Sequence, residues 1–283
     1  MKEYKKIILK LSGESLATDR KRMEILEYLT ELATTSEENN EIDTKQFKDA
    51  LCVLSSYKDF GINYDYVLEL CKKINHLREN GIQIGIVVGG GNFWRGRSNK
   101  QMNKVTSDHI GMLGTAMNAL AVEAGLKEVN TDDRSIVRVQ TAIEMKKIAE
   151  PYSHKRAEKH FENDRIVIFG CGTGNPGYST DTAAAQMAME IEADAIVKIT
   201  NVDGVYDKDP NTYDDAKLFK TIKYDDVLKY KAMDATAYSL SMDNDIPIIV
   251  MNIKHFDDLL GLLQGKELEH TTLISNEVET NFY

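Results

Sequence analysis

The stretch at residues 170–181, GCGTGNPGYSTD, limits the folds open to this chain more than any other feature. Four glycines fall within its first eight residues, which leaves a run of backbone amides with little side-chain cover. The apolar run IVIF at 166–169 precedes it and reads as a buried parallel strand, and an alanine-rich helix follows from about residue 182. Such a loop lies at the carboxyl end of a parallel sheet, where it can hold an anion. The stretch therefore predicts an α/β fold with an anion site at the sheet edge.

Composition narrows the classes of partner. The 283 residues are 42% hydrophobic, enough for a substantial core in one large domain or two small ones. The net charge of -10 argues against nucleic acid as the main partner, although a nucleotide needs only a few local donors. Cys52, Cys71 and Cys171 lack the spacing of a zinc site or a disulfide framework. The N-terminal apolar run is too short for a signal or membrane segment, so we expect a soluble, cytoplasmic protein with no membrane partner.

Two other strand ends carry groups suited to phosphate. Lys10 closes a predicted first strand at 5–11, where its ammonium group would reach the sheet edge; a solvated edge lysine is the alternative. A strand at 82–88 ends in three consecutive glycines, which indicates that something approaches their backbone closely. Arg95 suits bidentate phosphate contact, whereas Phe93 and Trp94 either pack or stack on a base.

The remaining elements alternate in the same manner. We expect helices at 64–79, 106–124, 142–150, 154–161, 224–231, 234–242 and 256–263, and strands at 136–139, 195–199, 246–251 and 271–274. The helix at 106–124 has an apolar stripe that we assign to the core, formed by Ile110, Leu113, Met117, Leu120 and Ala121. Residues 200–210 form a polar loop, residues 19–60 an insertion of two short helices or a partly disordered linker, and residues 275–283 a polar tail.

The glycine loop matches two well-known nucleotide motifs only weakly. Gly172, Gly174 and Gly177 fit the spacing of a dinucleotide fingerprint, but Pro176 strains that turn. A P-loop would need a lysine where Tyr178 stands. A strand-end lysine with two separate glycine loops can instead hold two phosphate-bearing ligands facing each other. The pattern therefore favours phosphoryl transfer.

Five motifs follow one another along the chain: KLSGE at 10–14, GGGNFWRG at 89–96, DHIGML at 108–113, GTGNP with STD within 172–181, and VDGVYDKDP at 202–210. Together they resemble those of the bacterial uridylate (UMP) kinases of the amino acid kinase superfamily. The resemblance implies a three-layer αβα sandwich with a mainly parallel central sheet, as a single domain over 1–283. It also implies transfer of the ATP γ-phosphoryl group to UMP, giving UDP in pyrimidine nucleotide biosynthesis, with Mg²⁺ carried by the ATP phosphates rather than by protein ligands.

The resemblance assigns site residues by position. It implies that ATP is contacted by Lys10, Leu11, Ser12, Gly13, Gly91, Arg95, Thr200, Tyr206 and Asp209. It implies that UMP is held by Gly90, Asp108, Thr173, Gly174, Asn175, Pro176, Gly177, Tyr178, Ser179 and Thr180. Catalysis would fall to Lys10, Arg95 and Asp181, with Asp181 closing the loop near Lys10.

The resemblance also implies a homohexamer inhibited by UTP. The segment VEAGLK at 122–127 departs from the pattern of GTP-responsive members, which leaves activation by GTP open. Two alternative functions remain: another amino acid kinase acting on a carboxylate or carbamate, and a non-catalytic nucleotide sensor. A carboxylate kinase would lack the GTGNP loop and a sensor would have lost Lys10, and neither condition holds here.

Overall fold

The computed structural model describes residues 2–17, 60–95, 102–230 and 232–283. Within these ranges the strands are β1 (Lys6–Leu11), β2 (Gln83–Val88), β3 (Val137–Thr141), β4 (Glu150–Pro151), β5 (Ile166–Gly170), β6 (Ala195–Thr200), β7 (Phe219–Lys223), β8 (Ile248–Asn252), β9 (Thr271–Ser275) and β10 (Asn281–Phe282). The α-helices are α1 (Tyr64–Glu79), α2 (Lys104–Val129), α3 (His154–Glu162), α4 (Thr180–Glu190), α5 (Tyr224–Val227), α6 (Ala235–Asp243) and α7 (Leu259–Leu263). Short 3₁₀ turns lie at Gly13–Leu16, Arg134–Ile136 and Ile253–Asp258.

All ten strands belong to one sheet, in the order β10-β7-β9-β8-β6-β1-β2-β5-β3-β4. Every neighbouring pair is parallel except β8 with β9 and β10 with β7. Apolar side chains of α1, α2 and α7 cover one face of the sheet, and those of α3, α4, α5 and α6 cover the other. The predicted αβα sandwich with a mainly parallel central sheet is confirmed. None of the helices in the described ranges is long and apolar enough to cross a bilayer.

The predicted core stripe of α2 is wrong. Leu113 and Met117 are 49% and 45% exposed. The buried apolar face is instead formed by Met112, Ala116, Ala119, Val122 and Leu126. Apolar residues occur around most of this helix, so their spacing could not select a face. The side of α2 that carries small residues is the buried one, because the helix passes close to the backbone of the second glycine loop.

Three other expectations at the sheet edges need correction. Residues 142–150 form only one turn, with the amides of Ile148 and Ala149 donating to Met145 O, before the short β4 pairs with β3. The sequence analysis did not predict the strand β7, because its five residues are too few to show a clear alternation of buried and exposed positions. The last residues are not a free polar tail: Phe282 stacks on Phe219 with ring centroids 4.2 Å apart, and β10 pairs with β7.

The predicted insertion at 19–60 lies outside the described residues, apart from Phe60. Its flanks are held together, because the Asn63 amide donates to Leu16 O at 2.8 Å. Leu16 and Asn63, which flank this segment in the sequence, therefore lie next to each other, close to the end of β1.

Candidate active site

Sheet register brings two buried lysines side by side. Lys10 on β1 and Lys198 on β6 are direct partners in a parallel strand pair, so their side chains leave the same face of the sheet. The preceding residues on that face, Ile8 and Ile196, are fully buried beneath α4. Both lysines therefore project toward the first turn of α4, where Asp181 lies.

Asp181 bridges the two ammonium groups. Lys10 Nζ lies 2.9 Å from Asp181 Oδ1, and Lys198 Nζ lies 2.7 Å from Oδ2. Burial opposes ionisation of this carboxyl group, but the two positive charges outweigh burial and lower its pKa. For Lys198, burial disfavours the charged ammonium group and lowers its pKa, while the negative charge of Asp181 acts in the opposite direction. The three groups together carry one net positive charge in a mostly buried position.

The two lysines hold Asp181 differently. Lys198 donates hydrogen bonds to Asp181 Oδ2 and to the carbonyl oxygen of Ala232. Lys10 makes a close ionic contact, but Asp181 Oδ1 accepts no well-formed hydrogen bond from any described residue. Lys198 is therefore held by two hydrogen bonds, whereas Lys10 is held by a buried ion pair that only another anion, such as a phosphate, could replace.

The glycine loop adopts a backbone that needs its glycines. Gly172, Gly174 and Gly177 have φ values of 57°, 76° and 93°, the left-handed region that other residues rarely enter. Cys171 also has a positive φ, 67°, and its amide donates to Thr115 Oγ1 at 2.7 Å. The loop is thus fastened to α2 at its start. The Gly177 amide donates to Asp108 Oδ2 at 2.7 Å, which fastens it again seven residues after Gly170.

A cavity of about 400 Å³ lies between this loop and the start of α2. Seven of the ten residues predicted to hold UMP line it, namely Gly90, Asp108, Thr173, Gly177, Tyr178, Ser179 and Thr180. The wall also includes Gly91, Arg95, Trp94 and Lys104. Gly174, Asn175 and Pro176 belong to the loop but do not line the cavity. The side chain of Asn175 is engaged within the loop, where Nδ2 donates to Thr173 O at 3.2 Å.

The second glycine loop is approached by protein backbone. A Cβ on Gly90 would lie 2.6 Å from Gly111 O, and one on Gly13 would lie 2.7 Å from Gly89 O. The glycines therefore allow β1, β2 and α2 to meet at one edge. Phe93 packs edge-on against Phe60 rather than facing the cavity, and the Trp94 indole donates to Ser107 Oγ at 2.8 Å.

Arg95 is paired within the protein. Its guanidinium group contacts Glu14, and both side chains are about half exposed at the cavity wall. Surface ion pairs of this kind are worth at most about 1 kcal/mol. A phosphate in the cavity can therefore compete with Glu14 for Arg95.

A second cavity of about 420 Å³ opens on the other side of Asp181. Its wall combines Asp181 and Lys198 with the segment around α5 and α6, including Leu228, Tyr230, Ala232, Met233 and Asp234. Ser179 lines both cavities. Asp181 and Lys198 therefore line the second cavity next to Ser179, and Lys10 contacts Asp181 without lining either cavity.

Asp234 links the two cavities. Its carboxylate accepts hydrogen bonds from Ser179 Oγ, from Thr182 Oγ1 at 3.0 Å and from the Ala237 amide at 2.8 Å. Ser179 Oγ in turn caps α4 by accepting from the amides of Asp181 and Thr182. Two of the helix amides expected to be free for an anion are thus already occupied.

The residues predicted to contact ATP lie along the same sheet edge, but several are engaged locally. Leu11 and Thr200 end the adjacent strands β1 and β6. The Ser12 side chain accepts from the Glu14 amide, and the Thr200 hydroxyl closes a turn onto Val202. Tyr206 pairs with Leu218, and the Asp209 carboxylate caps a turn by accepting from the amide of Asn211 and the hydroxyl of Thr212.

Two side chains of the site escaped the sequence analysis. Lys198 is a lysine in the otherwise apolar strand AIVKIT, the same signal that drew attention to Lys10 in KIILKL. Asp234 precedes α6 as its N-cap, and nothing in the sequence alone indicates that it reaches Ser179 on another element.

The arrangement suits the transfer of a negatively charged group between two bound molecules. Fixed positive charge from Lys198 lies on the wall of the second cavity, and the wall of the first includes a glycine-rich loop and several hydroxyl groups. Groups oriented before the reaction stabilise developing negative charge strongly when water is largely excluded. No covalent intermediate on the protein is required for such a transfer.

Comparison with known proteins agrees with this architecture. A UMP kinase from Bacillus anthracis superposes with a TM-score of 0.79 at 29% identity, covering 100% of both chains. A UMP kinase from Ureaplasma parvum gives 0.75 at 28% identity, covering 97% of this chain and 100% of that one. A uridylate kinase from Archaeoglobus fulgidus, at 20% identity, covers 95% of this chain and 99% of its own with a TM-score of 0.60, and supports the fold alone. The model of the amino acid kinase family matches residues 48–252, more than half of the chain, and the protein therefore belongs to the amino acid kinase family.

Proposed function

We propose that the protein is a UMP kinase, which transfers the γ-phosphoryl group of ATP to UMP and releases ADP and UDP. The observation that carries the proposal is the cluster of Lys10, Asp181 and Lys198 beside Ser179, the residue that lines both cavities. Two relatives that are named UMP kinases, each covered over its whole length, support the choice of acceptor. The GTGNP loop, whose Gly172 and Thr173 line the first cavity, gives a second reason, since it suits a monophosphate.

The acceptor oxygen needs no general base. The second pKa of a phosphate monoester is about 6, so the attacking oxygen is already largely ionised at neutral pH. What the protein supplies is position and charge. Lys198 holds a fixed positive charge, Lys10 turns from Asp181 toward the transferring group, and Asp181 keeps the two ammonium groups apart and oriented.

We assign the first cavity to UMP and the second to the phosphate end of ATP. In this assignment Thr173 and the amides of the loop face the UMP phosphate. Asp108 accepts from the Gly177 amide and so holds the end of the loop that we assign to the nucleoside. Arg95 leaves Glu14 when phosphate binds. Leu11, Ser12, Gly13, Thr200, Tyr206 and Asp209 stay proposed ATP contacts on the strength of the family resemblance. Gly91 and Arg95, which the resemblance also assigns to ATP, lie on the wall of the first cavity, so we propose that they face the phosphates of both nucleotides.

Magnesium fits this site as a companion of ATP. Both oxygens of Asp181 already contact a lysine ammonium group, so the phosphates and water would supply most of the oxygen ligands. Bound there, Mg²⁺ neutralises phosphate charge. The protein's own part is to place the two lysines beside those phosphates.

A coupled ADP-release assay tests the proposal. Native protein with MgATP is compared across UMP, CMP, AMP, glutamate and no acceptor, with Lys10→Ala as the reference for background. We expect turnover with UMP well above the others and at least about a hundredfold above Lys10→Ala, the effect of losing one charge in the transition state. Turnover with glutamate instead would identify a carboxylate kinase. ATP binding with no turnover on any acceptor would identify a sensor.

We also propose that the chain self-associates through the outer face of α2, as the first step toward a hexamer. Leu113 and Met117 are exposed one turn apart, with Val105 at 49% exposure near the helix start. Exposed apolar stripes of this length usually mark contact surfaces. Analytical ultracentrifugation of Met117→Lys should give a smaller species than the native protein, and unchanged sedimentation would contradict the proposal. Inhibition by UTP and an effect of GTP rest on the resemblance alone, and a cytoplasmic location rests on the short N-terminal apolar run.

A further inference from the structure

Three potential metal ligands meet at the sheet edge beyond Thr200. Asp203 lies in the loop after β6, His255 in the 3₁₀ turn after β8, and His270 immediately before β9. Because β6 and β8 are parallel and β9 is antiparallel to β8, the ends of the first two strands and the start of the third share one edge. Topology therefore brings together three residues that are far apart in the sequence.

The distances suit a shared cation. Asp203 Oδ1 lies 3.5 Å from His255 Nε2, and Asp203 Oδ2 lies 3.8 Å from His270 Nδ1. The potential ligand atoms all lie within 4.8 Å of one another. Bonds of about 2.0–2.1 Å in a tetrahedral site place neighbouring ligand atoms about 3.3 Å apart, so shifts of about 1 Å would complete the site.

The surroundings hold the carboxylate and leave the histidines adjustable. Asn252 Nδ2 donates to Asp203 Oδ1 at 2.9 Å and to Asn201 O at 3.2 Å, which orients the carboxylate from behind. The two imidazole rings are stacked, with centroids 4.9 Å apart and planes 14° from parallel. Parallel rings do not direct both lone pairs at one point, so His270, whose side chain is 54% exposed, must rotate to bind.

We propose that Asp203, His255 and His270 form a site for a transition-metal dication of the Zn²⁺ class, completed by water. Two imidazole nitrogens and one carboxylate oxygen suit Zn²⁺, Co²⁺ or Ni²⁺, whereas Mg²⁺ requires oxygen ligands. The site is therefore separate from the magnesium that accompanies ATP. Its metal would tie the loop carrying Asp203 to the ends of β8 and β9.

Metal titration of the untagged protein without nucleotide tests the proposal. Cys52 is replaced by serine in every arm, so that this thiol cannot supply the binding. Co²⁺ is followed by its visible absorption and Zn²⁺ by calorimetry, each in excess Mg²⁺. We expect one saturable site per chain, weakened at least about tenfold by His255→Ala and by His270→Ala.

His76→Ala is the matched control, because His76 is an exposed histidine on α1 outside this cluster. It should bind as the parent does. The proposal is overturned if the parent shows no saturable binding, if Mg²⁺ displaces Co²⁺, or if the two cluster variants bind as tightly as His76→Ala.

Discussion

Replacing Lys198 by methionine should abolish most of the kinase activity while leaving the protein folded. Methionine has a similar length and no charge, so it occupies the space of the lysine side chain beside β1. The substitution changes the cluster of Lys10, Asp181 and Lys198 from one net positive charge to none. Asp181 keeps Lys10 as its partner, so no buried charge is left alone.

The size of the effect follows from the geometry. A unit charge about 4 Å from the transferring oxygens contributes about 4 kcal/mol at an effective dielectric constant of 20. Removal of single preorganised groups from such sites usually costs about 3 kcal/mol, which is about a hundredfold in kcat. Stability should change by no more than about 2 kcal/mol. The hydrogen bonds from Lys198 to Asp181 and Ala232 are lost, but the cost of burying an ammonium group disappears too.

Two measurements separate these effects. ADP release at saturating ATP and UMP gives kcat, and urea unfolding gives the free energy of unfolding. Lys72→Met is the control, because Lys72 is a surface lysine paired with Glu69 on α1 and should leave both quantities unchanged. A kcat within threefold of the native value would refute the role assigned to Lys198. A large loss of stability would show instead that Lys198 is mainly a structural partner of Asp181.

Other perturbations test neighbouring parts of the site. Burial lowers the pKa of Lys198, so this side chain loses its charge at a lower pH than an exposed lysine does. The kcat of the native protein should therefore fall as the pH rises through the pKa of Lys198. Lys198→Arg stays charged, so an active variant should show a flatter decline of kcat at alkaline pH. Asp108→Ala should raise the KM for UMP about tenfold or more, with little change in the KM for ATP. The effect should exceed that of Asn175→Ala, because Asp108, unlike Asn175, lines the cavity and holds the loop through the Gly177 amide. Equal effects of the two variants on the KM for UMP would contradict this geometry. Asp234→Asn should lower kcat and raise the KM for both nucleotides, whereas an effect on one KM alone would show that Asp234 does not couple the cavities.

The sequence predicted the elements whose environment is simple. Strands buried on both faces, such as IVIF before the glycine loop, are continuous apolar runs. The helix α1 ends at Glu79 as expected, with Asn80 as its C-cap and Gly81 following at a φ of 81°. The face of α2 could not be predicted, since apolar residues surround the helix and a neighbouring loop decides which of them are buried. The packing of Phe282 on Phe219 joins residues far apart in the chain, so no local pattern reveals it.

The candidate site likewise contains residues that the sequence predicted and residues that it could not predict. The proximity of Lys10 to Asp181 followed from motifs that resemble a known family, and the distance of 2.9 Å agrees with it. Lys198 required knowledge that β6 lies next to β1, which depends on strand order rather than on sequence pattern. Asn175 was expected beside a phosphate, but its side chain is occupied by its own loop. Local hydrogen bonding of this kind cannot be read from composition.

The pairing of Lys10 with Lys198 restricts how the length of this chain can vary during evolution. Deleting one residue within β1 would turn Lys10 to the opposite face of the sheet, away from Asp181. Residues 18–59, by contrast, lie in the sequence between Leu16 and Asn63, which are hydrogen-bonded to each other. For a flexible connection between two fixed ends, each doubling of its length costs only about 0.6 kcal/mol. We therefore expect lineages of this protein to gain or lose dozens of residues there, while tolerating no change of length between Lys6 and Leu11.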